Sequence, residues 1–267
     1  MHSTLVVAVA LLFATPARAE TGFLDRTVQI RGQSYRYQVY VPAEHSPAQT
    51  WPVIVELHGN GAQGTDGLFQ TTGGLAAQVR RNRSRFPAIV LFPQCQPGRR
   101  WSQPEMEELV MAELDRAMEE FHGDPDRVYL SGYSMGAIGA FRVASRWPER
   151  FAAMATIATR IQSSDGGSPD ETALDRRTHP FTAATDQFAA LATAIAGIPV
   201  WLFHGDSDKV IAVDESRRMA EALRKAGAEY RYTEYPGVDH VVTAFKAYSE
   251  EELVPWLLTH RRQRRPR

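Results

Sequence analysis

Thr27 to Arg31 and Tyr35 to Val41 alternate polar with apolar or aromatic residues, with Gly32-Gln33 between them. Such period-two alternation around a glycine predicts an antiparallel hairpin at the edge of a sheet. The runs that follow are of another kind: Val53-Ile54-Val55-Glu56-Leu57, Ala88-Ile89-Val90-Leu91-Phe92, Val128-Tyr129-Leu130 and Val200-Trp201-Leu202-Phe203 are short, β-branched and mostly apolar. A strand covered on both faces has no polar side to display, so these runs predict buried strands of a parallel sheet. Between them Glu105 to Phe121, Gly136 to Trp147 and Val213 to Ala226 read as helices, and Glu229 to Tyr235 alternates as a further strand. The alternation of strand and helix predicts an α/β protein: a doubly wound, mostly parallel sheet with helices on both faces and its site in the loops after the strands. Asp124-Pro125-Asp126 reads as a turn ahead of the Val128 strand.

Three segments fall outside this rhythm. Leu5 to Ala14 is an apolar run of signal-peptide length, followed by the small-x-small trio Ala17-Arg18-Ala19, although no Lys or Arg precedes it. Residues 1–19 are therefore expected to be a cleaved leader and the protein secreted or periplasmic. Residues 20–260 are then one catalytic domain, and the Arg-rich residues 261–267 are a solvated, disordered tail. Ser163 to Pro169 is turn-rich, so residues 158–197 form either a cap over the site or an ordinary surface excursion.

Composition narrows the partners. The 267 residues are 43% hydrophobic, enough for one substantial core, and the formal net charge of −1 favours neither nucleic acid nor an anionic polymer. Outside the leader no apolar stretch reaches membrane-spanning length, so no stable membrane insertion is expected. Cys95 is the only cysteine, which excludes an intramolecular disulfide. His204, Asp206 and Asp208 alternate as metal ligands could, but no HExxH-like cluster accompanies them, so neither metal nor cofactor is expected.

The chemistry is concentrated after the strands. Val128-Tyr129-Leu130-Ser131 runs into Gly132-Tyr133-Ser134-Met135-Gly136 and then into a helical segment, which is a GxSxG motif in its strand-turn-helix setting. Ser134 is thus the candidate nucleophile, on a turn too tight for side chains at its glycines. A helix start beside it directs unpaired N–H groups at a developing oxyanion. The backbone N–H groups of Met135 and of Asn60, in Leu57-His58-Gly59-Asn60-Gly61, are the expected oxyanion donors, with His58 organising that loop. Downstream, His204-Gly205-Asp206-Ser207-Asp208 offers two candidate acids and Gly237-Val238-Asp239-His240 a base. Asp208 is preferred, because the loop must travel past the strand end to face the base; Asp206 is read as a turn residue. Ser134, Asp208 and His240 then fall in the chain order of a hydrolase triad. Trp101, in a polar loop after the Ala88 to Phe92 strand, is a candidate for lining the substrate pocket, ordinary packing being the alternative.

With these motifs in place, the chain resembles bacterial exported esterases grouped with feruloyl esterases, acetyl-xylan esterases, polyhydroxybutyrate-depolymerase-like proteins and the "predicted peptidase" branch of the α/β-hydrolases. The resemblance spans about Arg36 to Leu258 and rests on LHGNG at 57–61, FPQCQPGRRW at 92–101, DPDRVYLSGYSMGA at 124–137, WPERFAA at 147–153, HGDSDKVI at 204–211 and GVDH at 237–240. It implies an α/β-hydrolase fold and a serine carboxylic ester hydrolase acting on a small-molecule or oligosaccharide ester, feruloyl or acetyl esters being examples. Two positions depart from the pattern: Ala137 stands where a second glycine is common, and Thr159-Arg160 where a glycine-rich stretch is. A serine peptidase using the same three residues is the nearest rival reading. A non-catalytic secreted binding module is a more distant one, since it would be expected to have lost a triad member.

Overall fold

The computed structural model describes residues 20–161 and 175–262. The expected leader at 1–19, the turn-rich Ser163 to Pro169 and the end of the tail at 263–267 lie outside the described residues.

Strands β1 (Gly22–Ile30), β2 (Gln33–Val41), β3 (Trp51–Leu57), β4 (Ile89–Phe92), β5 (Gly123–Tyr133), β6 (Ala153–Ile157), β7 (Val200–Gly205) and β8 (Tyr230–Tyr235) form one sheet in the order β1-β2-β4-β3-β5-β6-β7-β8. The β1–β2 and β2–β4 pairings are antiparallel, and from β4 onward every pairing is parallel. The predicted hairpin is present, one residue earlier than expected. Ile30 pairs with Gln33, and the two turn residues Arg31 and Gly32 both have positive φ, 50° and 78°, which suits a two-residue hairpin turn. β3, β4 and β7 are buried at every position, as mostly apolar runs require when helices cover both faces.

Helices α1 (Gly74–Arg81), α2 (Pro104–Glu120), α3 (Met135–Arg146), α4 (Gln187–Ala194), α5 (Asp214–Lys225), α6 (His240–Ser249) and α7 (Leu253–Thr259) supply that cover. Alternation along the strands divides the core in two. Val53, Val55 and Leu57 join Leu109, Phe141, Leu191 and Leu223 of α2 to α5 on one face. Ile54 joins Leu75, Tyr248 and Trp256 of α1, α6 and α7 on the other.

Two expectations about the periphery are corrected. Asp124-Pro125-Asp126 belongs to β5 rather than to a turn before it. Gly123 pairs with Trp51 through an irregularity in register, and the Asp124 carboxylate accepts from the N–H of Asp126 and the Arg127 guanidinium, compensating for a proline in the ladder. The start of the basic tail is anchored, not free: Arg261 donates to Asp124 at 3.2 Å and Arg262 to Asp126 at 3.2 Å.

Candidate active site

The parallel strands β3, β5, β7 and β8 end at the same edge of the sheet, and each delivers one part of the site there. At the end of β5 the chain turns at Ser134, whose φ of 54° and ψ of −117° give the strained strand-to-helix turn expected of the GxSxG motif. The flanking glycines follow from packing. A Cβ on Gly132 would lie 2.3 Å from the Gly136 carbonyl oxygen, and one on Gly136 would lie 1.8 Å from that of Leu57. Serine at a helix start often caps with its own hydroxyl, but the Ser134 hydroxyl makes no cap. It faces His240 instead, with Oγ 2.9 Å from Nε2.

His240 opens α6, behind Asp239, whose carboxylate caps the helix through the N–H of Val242 at 2.8 Å. The ring of Tyr133 lies against the imidazole at 5.1 Å between centroids, and its hydroxyl donates to the His240 carbonyl at 3.3 Å. Nδ1 of His240 donates to Asp208 Oδ2 at 2.6 Å. The other carboxylate oxygen of Asp208 accepts the N–H groups of Val210 and Ile211, each at 2.8 Å. Burial by itself would raise the Asp208 carboxyl, but the Ile211 N–H, His240 and the Val210 N–H together hold it below its ordinary value, so it remains ionised.

Asp206 has the other job. Its carboxylate accepts the Gly237 N–H at 2.7 Å, while its own N–H donates to the Tyr235 carbonyl at 3.1 Å. It thereby ties the acid loop to the base loop. Gly205 allows this closeness, since a Cβ there would sit 2.1 Å from the Val238 oxygen. Of the alternating trio, His204 and Asp208 face each other while Asp206 turns away to Gly237, and among the described residues no group of three or more His, Cys, Asp or Glu is arranged to hold a metal ion.

The loop that carries Asn60, the expected oxyanion donor, is braced from behind. His58 is buried, with Nδ1 donating to the Gly59 carbonyl at 2.7 Å and Nε2 accepting from the Cys95 N–H at 3.0 Å. Burial pushes its imidazole down to about 4, so it serves as a neutral organiser of the loop. A Cβ built on Gly59 would lie 3.6 Å from the Ser134 Cβ, which puts Asn60, the next residue and the start of a short 3-10 turn, beside the nucleophile. Met135, first in α3, has an N–H that no intrahelical carbonyl can satisfy.

Trp101 does not line a pocket. It is fully buried, donates from Nε1 to the His58 carbonyl at 3.0 Å and packs so tightly on Gly139 that a Cβ there would come within 2.2 Å. An indole whose N–H is satisfied inside the core becomes a support behind the oxyanion loop. Of the segment read as cap or excursion, residues 158–161 and 175–197 are described. Arg160 donates to the Val210 carbonyl and the Ile161 N–H to Glu215, so the Thr159-Arg160 departure lies against the acid loop. Further along, Phe181 and Phe188 are part of the core. His204, Tyr133 and Ser216 also surround the site. The sequence signal that could have found them is proximity to the motifs, since two lie within the GxSxG and HGDSD runs.

A family model described as "Putative esterase" matches residues 29–248. The chain belongs to this esterase family. Among solved structures, a thermostable esterase is 28% identical to this family member, with a TM-score of 0.71 over 90% of this chain and 63% of its own. A ferulic acid esterase and an S-formylglutathione hydrolase from Agrobacterium tumefaciens, each 17% identical with a TM-score of 0.66 over 89% of this chain, share the fold. That fold is the α/β-hydrolase fold. A protein of Arthroderma benhamiae described as an "Uncharacterized secreted protein" is 27% identical over 209 residues, 72% of this chain. The chain spans only 21% of that relative's length.

Proposed function

We propose that this chain is a serine carboxylic ester hydrolase that works through an acyl-enzyme. The observation that carries the reading is the continuous line from Ser134 Oγ through His240 to the Asp208 carboxylate, at 2.9 and 2.6 Å. His240 Nε2 takes the hydroxyl proton as Oγ attacks the ester carbonyl, and Asp208 keeps the imidazole in the tautomer that can accept it. The oxyanion of the tetrahedral intermediate sits on the backbone N–H groups of Asn60 and Met135, a donor of this kind being worth about 3 kcal/mol. Collapse breaks the ester C–O bond, and the alcohol leaves with the proton from His240. Water then attacks the acyl-Ser134 carbonyl as it gives its proton to His240; collapse breaks the acyl C–Oγ bond, His240 returns that proton to Ser134 Oγ, and the acid is released.

The substrate in this reading is a small or oligomeric ester, such as a feruloyl or acetyl ester. Among the described residues the exposed large apolar side chains are Leu68, Phe69, Val210, Val241, Val242 and Phe245. All six sit on the segments that follow β3, β7 and β8, the segments that bring Asn60, Asp208 and His240 to the site, which favours esters with an apolar or aromatic part. The enzyme is also proposed to be exported, on the strength of the leader reading and of the relative described as secreted.

Purified protein assayed on p-nitrophenyl, feruloyl, acetyl-sugar, alkyl ester and peptide substrates is expected to turn over esters and to leave peptides intact. Preferential peptide cleavage would replace the esterase reading with the peptidase one. For export, sequencing of the mature protein is expected to start at Glu20, and a retained Met1 on exported protein would exclude the cleavage.

A further inference from the structure

Resting on the acyl-enzyme reading above, we infer that His204 is a positioning residue, a second imidazole that holds the Asp208 carboxylate in place and shares its negative charge with His240. His204 is the fifth residue of β7 and is fully buried, so substrate does not reach it. Its Nε2 lies 3.1 Å from Asp208 Oδ2 and 3.1 Å from the Ile211 carbonyl oxygen. Both partners only accept, so Nε2 carries the proton. Nδ1 lies 2.7 Å from the hydroxyl of Ser216, which is itself fully buried on α5 and donates to it. Burial drives this imidazole below its ordinary value against the pull of the Ile211 carbonyl and Asp208, which keeps it neutral.

The consequence lies in the count of donors around Asp208. A carboxylate offers about four lone-pair positions. Here they are met by the N–H groups of Val210 and Ile211 on Oδ1 and by His204 and His240 on Oδ2. His240 thus receives a carboxylate whose orientation is fixed by three other bonds and whose charge is shared. Other ionisable groups within electrostatic reach are Tyr133 from β5, Asp239 ahead of α6 and Glu234 on β8, the last paired with Arg217. None of them is altered by a substitution at His204.

Removing the His204 donor leaves one Asp208 lone pair empty in a buried site, so more of the charge falls on His240. Two effects are expected in His204→Met. The rate constant kcat drops about tenfold to a hundredfold with KM unchanged, because a carboxylate held by fewer bonds no longer keeps His240 aligned on Ser134. The acid limb of the kcat/KM profile also moves to higher pH. His204→Gln carries an amide N–H where Nε2 stood and should restore most of the rate and the wild-type limb. Ser216→Ala, which frees the ring to turn, should move the limb in the same direction by less. Rates are normalised to sites labelled by a fluorophosphonate, so a loss of folded protein does not count. A lower rate with an unmoved acid limb would make His204 merely structural and overturn the inference. If His204→Met does not fold, the limb of Ser216→Ala decides alone. Full turnover in Ser134→Ala is a separate result, and it would remove the acyl-enzyme reading itself.

Discussion

Two buried histidines in this molecule each contact a carboxylate at 2.6 Å, and only one of them sits in a site. His240 faces Asp208 with one nitrogen and the Ser134 hydroxyl with the other. His179, just before α4, faces carboxylates with both: Asp175 at 3.1 Å from Nδ1 and Glu107 of α2 at 2.6 Å from Nε2. The Glu107 contact is an ionic approach more than an aligned hydrogen bond. Arg142 pairs with Asp175, and Arg146 with Glu107 at 2.8 Å, so both carboxylates that face His179 are themselves paired with arginines. Burial would lower the His179 imidazole, but Asp175 and Glu107 outweigh it and raise the value. In the proposed mechanism the His240–Asp208 pair can relay a proton because its far nitrogen is left for the Ser134 hydroxyl. Closed at both ends, the same chemistry is an anchor that fastens the chain before α4 to α2 and α3.

The largest effects should separate the two clusters completely. Ser134→Ala is expected to lower kcat by about a millionfold, with thermal unfolding hardly changed. Asp208→Asn should cost about ten-thousandfold by fixing the wrong His240 tautomer. Asp206→Asn keeps an acceptor for the Gly237 N–H and should leave kcat near wild type. Ester hydrolysis by the three purified variants checks all of this, and a strong loss in Asp206→Asn would mean that the two aspartates had been assigned the wrong way round.

His179→Ala should do the reverse. Breaking a buried charged network costs roughly 3 kcal/mol or more of stability, while kcat per folded site stays intact. The sign with pH is also set. A histidine raised in the folded state contributes fully below its ordinary value and loses that contribution as pH rises through the raised one. The stability gap between wild type and His179→Ala, measured by urea unfolding, should therefore narrow on the alkaline side.

The active centre was more legible in the sequence than this anchor, and the reason is local. Ser134, Asp208 and His240 each follow a strand whose apolar run can be recognised alone, and the glycines around Ser134 mark a turn that excludes side chains. Asp175 and His179 are an i,i+4 pair, but Glu107 and the arginines that complete the cluster come from α2 and α3, far off in the chain, so no short motif joins them. Trp101 misled because its polar neighbours suggest exposure, whereas its burial depends on Gly139, 38 residues further on. Asp124-Pro125-Asp126 reads as a turn for a similar reason: its place in β5 depends on Trp51, Arg127 and Arg261.

A third buried carboxyl sharpens the comparison and should give the smallest effect. Glu56, on β3, receives one donor, the hydroxyl of Tyr248 from α6 at 3.0 Å. Asp208 has four donors and remains charged; Glu56 has one, and burial outweighs it, pushing the carboxyl up to about 7. An acid raised in the folded state stabilises fully below its ordinary value of 4.5, and that contribution is lost as pH rises towards about 7. Relative to wild type, Glu56→Gln should therefore gain stability across this window and hold the gain above it, on the order of 3 kcal/mol. Unfolding free energies of both proteins at a series of pH values test this. A difference that stays flat across the window would mean that Glu56 is ionised despite its single donor, and that the number of donors is not what separates it from Asp208.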